Sequence, residues 1–496
     1  MYKIRKIKYS EGSTSVQVYK IEDRKRIIAK HIGTARSAQE LTNLISLAND
    51  FIETSTKQLF LFNDTQSGQI INIGQLDFIG VYYSFFHDVI SKLIIHVGFD
   101  GLKNRLLLDL VVMRMLEPGS KLRSIALLEE YFGIKHRRQK YYESAPLWLE
   151  LKSKAETIAV KFAHSQYDFN YNLVFYDVTT LYFETFEADD LRKNGFSKDN
   201  KSQQPQVLIA LMVSKEGLPI AYEVFPGNTF EGKTFIPMIQ SFIQKNKVGN
   251  LTVVADAAMI SAENSSALNE KGINFIVGAR LGNIPSDLLL EIDSRVVRKD
   301  GQSIRVRTVH GDLICGYSSL RYRKDKYEME KQIEKARFFI DNPSKNKKLK
   351  FTKSSGQNME LNQKLIDKTH KLLGVKGYYT NLPESIADNE TIMEQYRELY
   401  RIEQAFRISK SDLQTRPIFH YKEEPIKLHL LICFMALVIS KHIELRTETS
   451  IKSFIHECKK ITDARLKNKI TGKEIMMRAN STPQILNLLK KLDLLT

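Results

Sequence analysis

The sequence predicts an α/β protein in which a mixed β-sheet is flanked by helices, with a β-rich insertion and helical additions at both ends. Apolar, strand-like runs occur repeatedly between residues 171 and 279, and helix-like segments separate the later runs. This alternation is typical of a sheet covered by helices. A highly charged stretch at residues 282–375 interrupts the pattern and is interpreted as the insertion.

Residues 1–72 are predicted to form a small β/α module. Apolar and charged positions alternate along residues 1–31, which is typical of an antiparallel sheet with one solvated face. Ser37 then precedes the amphipathic run "AQELTNLISLANDFI" and is a candidate N-cap for a helix.

Residues 73–165 are predicted to be mostly helical and to bind DNA. The runs "LKNRLLLDLVVMRML" and "IALLEEYFG" have helical spacing and are separated by Pro118-Gly119, after which Ser120 is a candidate cap. Two helices joined by a short turn are typical of a helix-turn-helix DNA binder, and also of an ordinary helical hairpin. Both interpretations remain open. The candidate DNA contacts of this region are Lys121, Arg123, Arg137 and Arg138.

The catalytic core is predicted to comprise residues 166–281 and 376–446. Its strand-like runs are, in order, "NLVFYDV", "TLYFETF", "VLIALMVS", "PIAYEVF", "LTVVADAAM" and "NFIVGA". Three strands that can form a meander are predicted first, and the later strands alternate with helices. After the insertion, "GYYTNLP" returns to strand, and residues 392–413 are predicted to form one long helix. A buried helix follows, and residues 447–496 are predicted to form a basic helical tail.

The composition favours a polyanionic partner. The chain has 496 residues and a net charge of +17, from 74 Lys and Arg against 57 Asp and Glu. Such an excess is most simply explained by nucleic acid. Basic residues cluster at 103–140, 321–353 and 452–473; any one cluster alone is more often a solvated helix face.

Cysteine content and hydropathy argue against several other classes of protein. The three cysteines, Cys315, Cys433 and Cys458, have no metal-ligand spacing, so neither a zinc site nor a disulfide scaffold is expected. The N-terminus has no apolar signal region. The longest apolar run, Leu430 to Ile439, is too short to span a bilayer. We therefore expect a cytoplasmic, nucleoid-associated protein with no membrane partner.

Asp177 is unusual because it stands within the apolar run "LVFYDVTTLYF". An ionised carboxylate in such a strand is costly unless something positive meets it. For a single Asp, the ordinary interpretation is a strand-end residue that caps a turn.

Two further carboxylates make a functional site the better interpretation. Asp256 closes the apolar run "LTVVADAAM", and Glu403 lies in the predicted long helix. Tyr396, Glu403 and Lys410 recur every seven residues and would share one helix face, with Arg401 and Arg407 nearby. For this helix alone, a solvated face with salt bridges would explain the pattern.

Three converging carboxylates suit a site for two Mg²⁺ ions, with Mn²⁺ as a substitute. These ions prefer oxygen ligands and keep positions open for water and phosphate. Held ~3.5–4 Å apart, two ions can support in-line displacement at a phosphodiester. A bound cation would also offset the desolvation of Asp177.

These motifs resemble those of bacterial insertion-sequence transposases of the DDE superfamily, in the branch whose signature helix has the pattern Y-(2)-R-(3)-E-(6)-K. The resemblance is carried by "YDVTTLYFE", "VVADAAMIS" and "YRELYRIEQAFRISKSDLQTRPIFHY" and extends over residues 100–440. It implies a ribonuclease-H-like core in which Asp177, Asp256 and Glu403 are the catalytic residues and metal ligands. It also implies that Tyr396, Arg407 and Lys410 hold phosphates near the cut.

The resemblance further implies binding to double-stranded DNA, both the terminal repeats of the element and the target, by a homodimer. The sequence departs from the pattern at one position, because Leu399 stands where the pattern has Arg. Arg397 or Arg401 could supply that charge. Lys198 and Arg416 are further candidate DNA contacts, although a loop lysine such as Lys198 is usually only solvated.

Two other functions remain open. A decayed or domesticated transposase would still bind DNA without cutting it, and Leu399 leaves room for this alternative. A repair or junction nuclease with the same core would cut according to DNA shape rather than sequence.

Overall fold

The computed structural model describes residues 2–22, 25–56, 76–196, 203–342, 349–355, 358–418, 420–470 and 472–495. The chain divides into two compact units. The smaller unit comprises residues 1–91, 125–136 and 453–496, and the larger comprises 92–124 and 137–452. The strands are β1 Tyr2–Lys8, β2 Thr14–Glu22, β3 Lys25–Ala35, β4 Leu76–Tyr82, β5 Val174–Tyr182, β6 Gln206–Ser214, β7 Pro219–Pro226, β8 Thr252–Ala255, β9 Asn274–Ala279, β10 Ser303–Thr308, β11 Gly311–Tyr317, β12 Thr352–Ser355, β13 Asn358–Leu361, β14 Val375–Thr380, β15 Asp463–Asn468 and β16 Glu474–Arg478.

The helices are α1 Ala38–Thr56, α2 Ser84–Val97, α3 Arg105–Leu116, α4 Lys121–Phe132, α5 Arg138–Trp148, α6 Leu151–Tyr167, α7 Glu231–Asn246, α8 Ala262–Glu270, α9 Ser286–Arg295, α10 Ser319–Asp341, α11 Gln363–Lys371, α12 Asn389–Arg397, α13 Tyr400–Arg407, α14 Glu423–Thr447, α15 Ile451–Lys459 and α16 Pro483–Lys491. Short 3₁₀ turns lie at Phe99–Leu102 and Leu281–Asn283, and a π-helical turn lies at Ile408–Asp412.

In the smaller unit, the predicted N-terminal sheet and helix are present. Strands β1, β2 and β3 form an antiparallel sheet in sequence order. The Ser37 hydroxyl accepts a hydrogen bond from the Glu40 backbone N–H, while Glu40 accepts one from the Arg36 N–H. This arrangement satisfies donors at the start of α1. Val16, Val18 and Ala48 are fully buried between the sheet and α1.

The end of the chain differs from the helical tail that the sequence predicts. Strands β15 and β16 lie in this segment and form a second sheet with β4, in the order β16-β15-β4. The pairing of β15 with β4 joins residues nearly four hundred positions apart, so no local pattern could indicate it. An ion pair between Arg478 and Asp463 crosses β16 and β15.

The larger unit is built on an eight-stranded sheet in the order β10-β11-β14-β9-β8-β5-β6-β7. Strands β5, β6 and β7 form the expected antiparallel meander, and β8 and β9 continue from β5 in parallel. Two strands were predicted at 172–178 and 180–186, but a single strand, β5, runs without a break from Val174 to Tyr182, and residues 183–186 lie outside it. The reason is visible in the pairing, because the buried, β-branched Thr179 and Thr180 continue the ladder with β6.

The predicted insertion is neither separate from the sheet nor mainly β. Strand β11 pairs with β14, and β10 pairs with β11, so both strands extend the central sheet. The longest element of the stretch is the 23-residue helix α10, whose N-cap is Ser318. The sequence analysis missed α10 because its residues are strongly polar and only Met329 and Ala336 are buried on it.

Helix α14 forms the centre of the helical layer and packs against α3, α5, α6 and β7. By length and composition it could span a membrane, but 94% of its most apolar window is buried inside the protein. The described residues contain this one candidate span. Such burial is typical of a core helix, as the sequence analysis expected.

Candidate active site

Asp177 and Asp256 lie at neighbouring positions of two parallel strands. The pairing of β5 with β8 ends at Tyr176 and Ala255, and the two aspartates are the next residues on each strand. Adjacent strands are separated by about 4.8 Å. Asp177 is the fourth of the nine residues of β5, so it does not cap a turn. It stands where its neighbour β8 has already ended, and it is only partly buried.

Asp256 is exposed and is held by two donors. The backbone N–H of Ala257 donates to its Oδ1 at 2.7 Å, and the hydroxyl of Tyr396 donates to the same oxygen at 3.4 Å. Burial raises the pKa of Tyr396, and the negative charge of Asp256 raises it further. The phenol therefore stays protonated and can act as a donor at neutral pH.

Glu403 is exposed on α13, which packs against β5 and β6. The negative charge of Glu403 adds to the raised pKa of Tyr396 and opposes the lowered pKa of Lys376. The charge of Asp256 has the same two effects. The helix therefore brings Glu403 to the end of the sheet that carries Asp256.

Lys376 at the start of β14 is a site residue that the sequence analysis missed. Its Nζ lies 4.6 Å from the ring centroid of Tyr396 and 5.4 Å from that of Tyr378. Burial and the nearby Arg321 lower the pKa of Lys376, and the charges of the two carboxylates oppose this shift. The signal in the sequence was a lysine within the otherwise apolar "GVKGYY" strand.

The predicted long helix is divided into α12, α13 and the π-helical turn, so that prediction was wrong. Tyr396 lies in the last turn of α12, Glu403 in α13 and Lys410 in the π-helical turn. The break falls at Glu398–Leu399, where the Leu399 N–H donates to the Tyr396 carbonyl oxygen. No glycine or proline marks this position, so the sequence carried no local signal for the break.

Leu399 is buried, and the arginines around it differ in their surroundings. Arg397 is exposed. Its charge adds to the lowering of the pKa of Lys376 that burial and Arg321 cause, and it opposes the rise in the pKa of Tyr378 that burial causes. Arg401 forms an ion pair with Glu398 and lies against Gly217. Arg397 is thus the arginine that faces the Lys376 side of the site.

The other predicted DNA contacts in or near the signature helix differ in how exposed they are to solvent. Arg407 is exposed and acts on the pKa of Lys441, which it lowers together with burial and Arg401. Lys410 is partly buried. Arg416 lies 5.2 Å from the ring centroid of Tyr182, at the end of β5. Lys198 lies outside the described residues.

Among the basic residues of the helical region, Lys121 is 2% exposed and forms part of the interior. It cannot contact DNA from an exposed helix face, as the helix-turn-helix interpretation requires. Arg123 is exposed and pairs with Glu117, and Arg137 and Arg138 are exposed at the start of α5. The two helices and the Ser120 cap are present, with the Arg123 N–H donating to Ser120 Oγ at 3.3 Å.

The donor set at the end of the sheet fits a hard cation in its chemistry, since Asp177, Asp256 and Glu403 all supply carboxylate oxygens that water can reach. Within the described ranges, no three His, Cys, Asp or Glu residues lie close enough together to form a preformed metal site. The arrangement is therefore a set of candidate ligands rather than a closed metal cage.

Comparison with known proteins identifies a matching family and several similar solved structures, two of which are described here. The family model for the transposase DDE domain matches residues 168–439, a range that contains all three carboxylates. No curated protein matches. A structure of the piggyBac transposase synaptic complex with hairpin DNA is 13% identical, with a TM-score of 0.35, and the match covers 82% of this chain and 74% of that one. The Mos1 transposase paired-end complex with its left transposon end is 12% identical, with a TM-score of 0.16, covering 47% of this chain and 66% of that one.

The matched range comprises more than half of the chain; it begins between α6 and β5, spans the central sheet and ends within α14. The chain therefore belongs to the family of transposases with a DDE domain.

Proposed function

We propose that this protein is an insertion-sequence transposase that binds the terminal repeats of its element, cuts the DNA by metal-dependent hydrolysis and joins the ends to target DNA. The observation that carries the proposal is the strand register, which places Asp177 and Asp256 at neighbouring positions where the pairing of β5 with β8 ends. Glu403 also influences the pKa values of Tyr396 and Lys376, the two side chains whose pKa values Asp256 influences. In the cutting step, a water oxygen bonds to phosphorus and the bond to the 3′ oxygen breaks. The 3′-hydroxyl that is left then attacks a phosphate of the target DNA and displaces a second 3′ oxygen.

We infer a ribonuclease-H-like core from the strand order. Within the eight-stranded sheet, β7-β6-β5-β8-β9 combines an antiparallel meander with two further parallel strands. This order brings the ends of β5 and β8 together, as such a site requires. The proposed branch of the superfamily is the bacterial one with the Y-(2)-R-(3)-E-(6)-K helix.

Asp177, Asp256 and Glu403 would hold two Mg²⁺ ions, for which Mn²⁺ would substitute. When bound, the ions would stabilise the charge that develops on the attacking and leaving oxygens of the phosphodiester. The three carboxylates themselves supply only negative charge, so any contact of the chain with the phosphate, besides the ions, must come from neighbouring cationic residues.

Lys376 and Arg397 are the cations best placed for this task. The Nζ of Lys376 lies against the ring of Tyr396, and the positive charge of Arg397 contributes to the lowered pKa of Lys376. Tyr396 orients Asp256 by donating a hydrogen bond to Oδ1. We propose that Lys376 and Arg397 hold the scissile phosphate and take the role that Leu399 cannot fill.

The substrate is proposed to be double-stranded DNA, bound by a homodimer in the cytoplasm at the nucleoid. The net charge of +17 supports this class of partner. Binding should weaken steeply with salt, because each phosphate contact releases counterions.

The second candidate is a decayed transposase that binds DNA without cutting it. The observation that favours it is the buried Leu399 at the position where the pattern has Arg. The two candidates differ in one reaction, because only the active enzyme should cut at the ends of the element.

The test is a cleavage assay on linear DNA that carries the natural flanks of this gene, with Mg²⁺, Mn²⁺ or EDTA. Metal-dependent nicking at both flanks, lost in Glu403→Gln, is expected. Glu398→Gln is a matched control, because Glu398 lies one turn away and pairs with Arg401 instead. Specific binding without cutting in either metal would favour the decayed transposase.

A further inference from the structure

A second site of unusual chemistry lies in the helical layer of the larger unit. A cavity of about 480 Å³ opens between the start of α4, helix α5 and the start of α14. We call it the Lys121 cavity and define it by Ser120, Lys121, Tyr141, Tyr142, His420 and Lys422, which all line it. Its size is within the usual range of ligand pockets, about 300–1,000 Å³.

Two buried cations belong to this region, and neither has an acidic partner within the described part of the chain. Arg114 is 3% exposed and Lys121 is 2% exposed. Arg114 donates to the carbonyl oxygen of Gly119 at 2.7 Å and lies 3.4 Å from His429 Nδ1. Burial of charge without a counter-charge is costly, so residues such as Lys are almost never found in this state.

The hydrogen bonds around His429 leave Lys121 with unused donors. His429 donates from Nε2 to the Thr415 carbonyl oxygen at 2.9 Å, so its Nδ1 is an acceptor. Lys121 donates to that Nδ1 at 3.0 Å. An ammonium group has three donors, and this is the one acceptor that the described residues provide for it. Burial lowers the pKa of Lys121 and the charge of Arg114 lowers it further, while Cys433 opposes the shift.

The cavity walls add features that suit a nucleotide rather than a simple anion. Tyr142 is 56% exposed and packs edge-to-face on Tyr141. An aromatic face of this kind can stack on a base, which is worth about 1–3 kcal/mol in single-stranded nucleic acid complexes. Lys422 and Ser120 can hydrogen-bond a phosphate, while Glu424 is the acidic residue of the lining.

We propose that the Lys121 cavity binds a nucleotide, with its phosphate on Lys121 and its base against Tyr142. This inference deepens the proposed function, since the natural source would be an unpaired nucleotide of the DNA that the transposase handles. The phosphate would supply the negative charge that the interior of this region lacks. The site is distinct in sequence from the carboxylate site, because it shares no residue with it.

The test is calorimetric titration of the full chain with dTMP, with thymidine and with inorganic phosphate. dTMP should bind more tightly than either part alone. Lys121→Met should weaken dTMP binding at least tenfold, since hydrogen bonds to charged groups contribute roughly 1.5–3 kcal/mol. Tyr142→Ala should weaken dTMP and leave inorganic phosphate unchanged. Lys427→Met is the matched control, because Lys427 pairs with Glu423 and does not line the cavity.

Two results would overturn the proposal. Equal dTMP affinity in the wild type and in Lys121→Met would remove the buried lysine from binding. Equal affinity for phosphate and dTMP, with no effect of Tyr142→Ala, would leave a simple anion site without a base. If Lys121→Met fails to fold, Tyr142→Ala and Lys422→Met decide in its place. If the wild-type protein cuts DNA but does not bind dTMP, only this inference is refuted. If it binds dTMP but does not cut DNA, only the proposed function is refuted.

Discussion

The larger unit contains two charged regions that differ in sign and in exposure. At the end of the sheet, Asp256 and Glu403 are exposed carboxylates that water can solvate. In the helical layer, Arg114 and Lys121 are buried cations without an acidic partner in the described ranges. Charge that is solvated costs the fold little, whereas charge that is buried costs much more. Mutations at the first region should therefore change activity alone, and mutations at the second should also change stability.

The largest effect is expected for Asp256→Asn. It should reduce DNA cleavage to below about one-hundredth, because even the outer partners of metal ligands are worth roughly 10–100-fold. DNA binding and the melting temperature should stay unchanged, since Asp256 is exposed. Gel assays of cleavage and binding, with a thermal melt, check this; a drop in melting temperature of many degrees would contradict the comparison.

Lys376→Met should lower cleavage by about 10–100-fold, because a charge-assisted contact to phosphate contributes roughly 1.5–3 kcal/mol. The matched control is Lys371→Met, since Lys371 pairs with Asp293 instead. Single-turnover rates on the flank DNA measure the effect. Equal rates in the two variants would exclude Lys376 from the site.

The two buried cations should respond in opposite directions. Arg114→Met removes donors from the carbonyl oxygens of Gly119 and Leu413 and should lower the free energy of unfolding by about 1–3 kcal/mol. Lys121→Met removes a buried ammonium group that lacks a counter-charge and should leave the free energy of unfolding unchanged or raise it, because an unpaired buried charge is costly. Urea denaturation measures both; equal destabilisation would show that the charge of Lys121 is compensated.

The smallest expected effect is a change in how the free energy of unfolding depends on pH. Burial, with the charges of Lys121 and Arg114, lowers the pKa of His420 to about 4. Its value in the unfolded chain is about 6.5. Between these values the unfolded state binds more protons, so the free energy of unfolding falls as the pH drops from 6.5 to 4. His420→Gln should make this fall shallower in urea titrations at several pH values; an equally steep fall in this variant would contradict the prediction.

Local patterns were enough to predict the features that depend on neighbouring residues. The Ser37 cap, the short turn between α3 and α4, and the meander of β5 to β7 follow from turn residues and periodicity. The strand pairing of β11 with β14, and of β15 with β4, depends on contacts between distant segments. No window of the sequence contains both partners, so these pairings could not be predicted.

In the candidate site, too, local motifs identified some residues, whereas others depend on contacts between distant segments. Asp177, Asp256 and Glu403 were identified because each stands in a recognisable motif. Lys376 belongs to no motif and reaches the site only because β14 pairs with β9. The break at Leu399 depends on packing of a buried leucine, which has no signature in helix propensity.

The pairing of β11 with β14 has a consequence for how this chain can be shortened. A reader of the sequence would take residues 282–375 for a module that could be deleted. Its removal would take β10 and β11 away from the sheet and leave unpaired the backbone donors and acceptors of β14 that face β11, while the pairing of β14 with β9 would remain. Such a bare edge is a template for pairing with other molecules. Trimmed versions of this protein should therefore form insoluble aggregates, and natural variants with shorter chains should have lost length elsewhere.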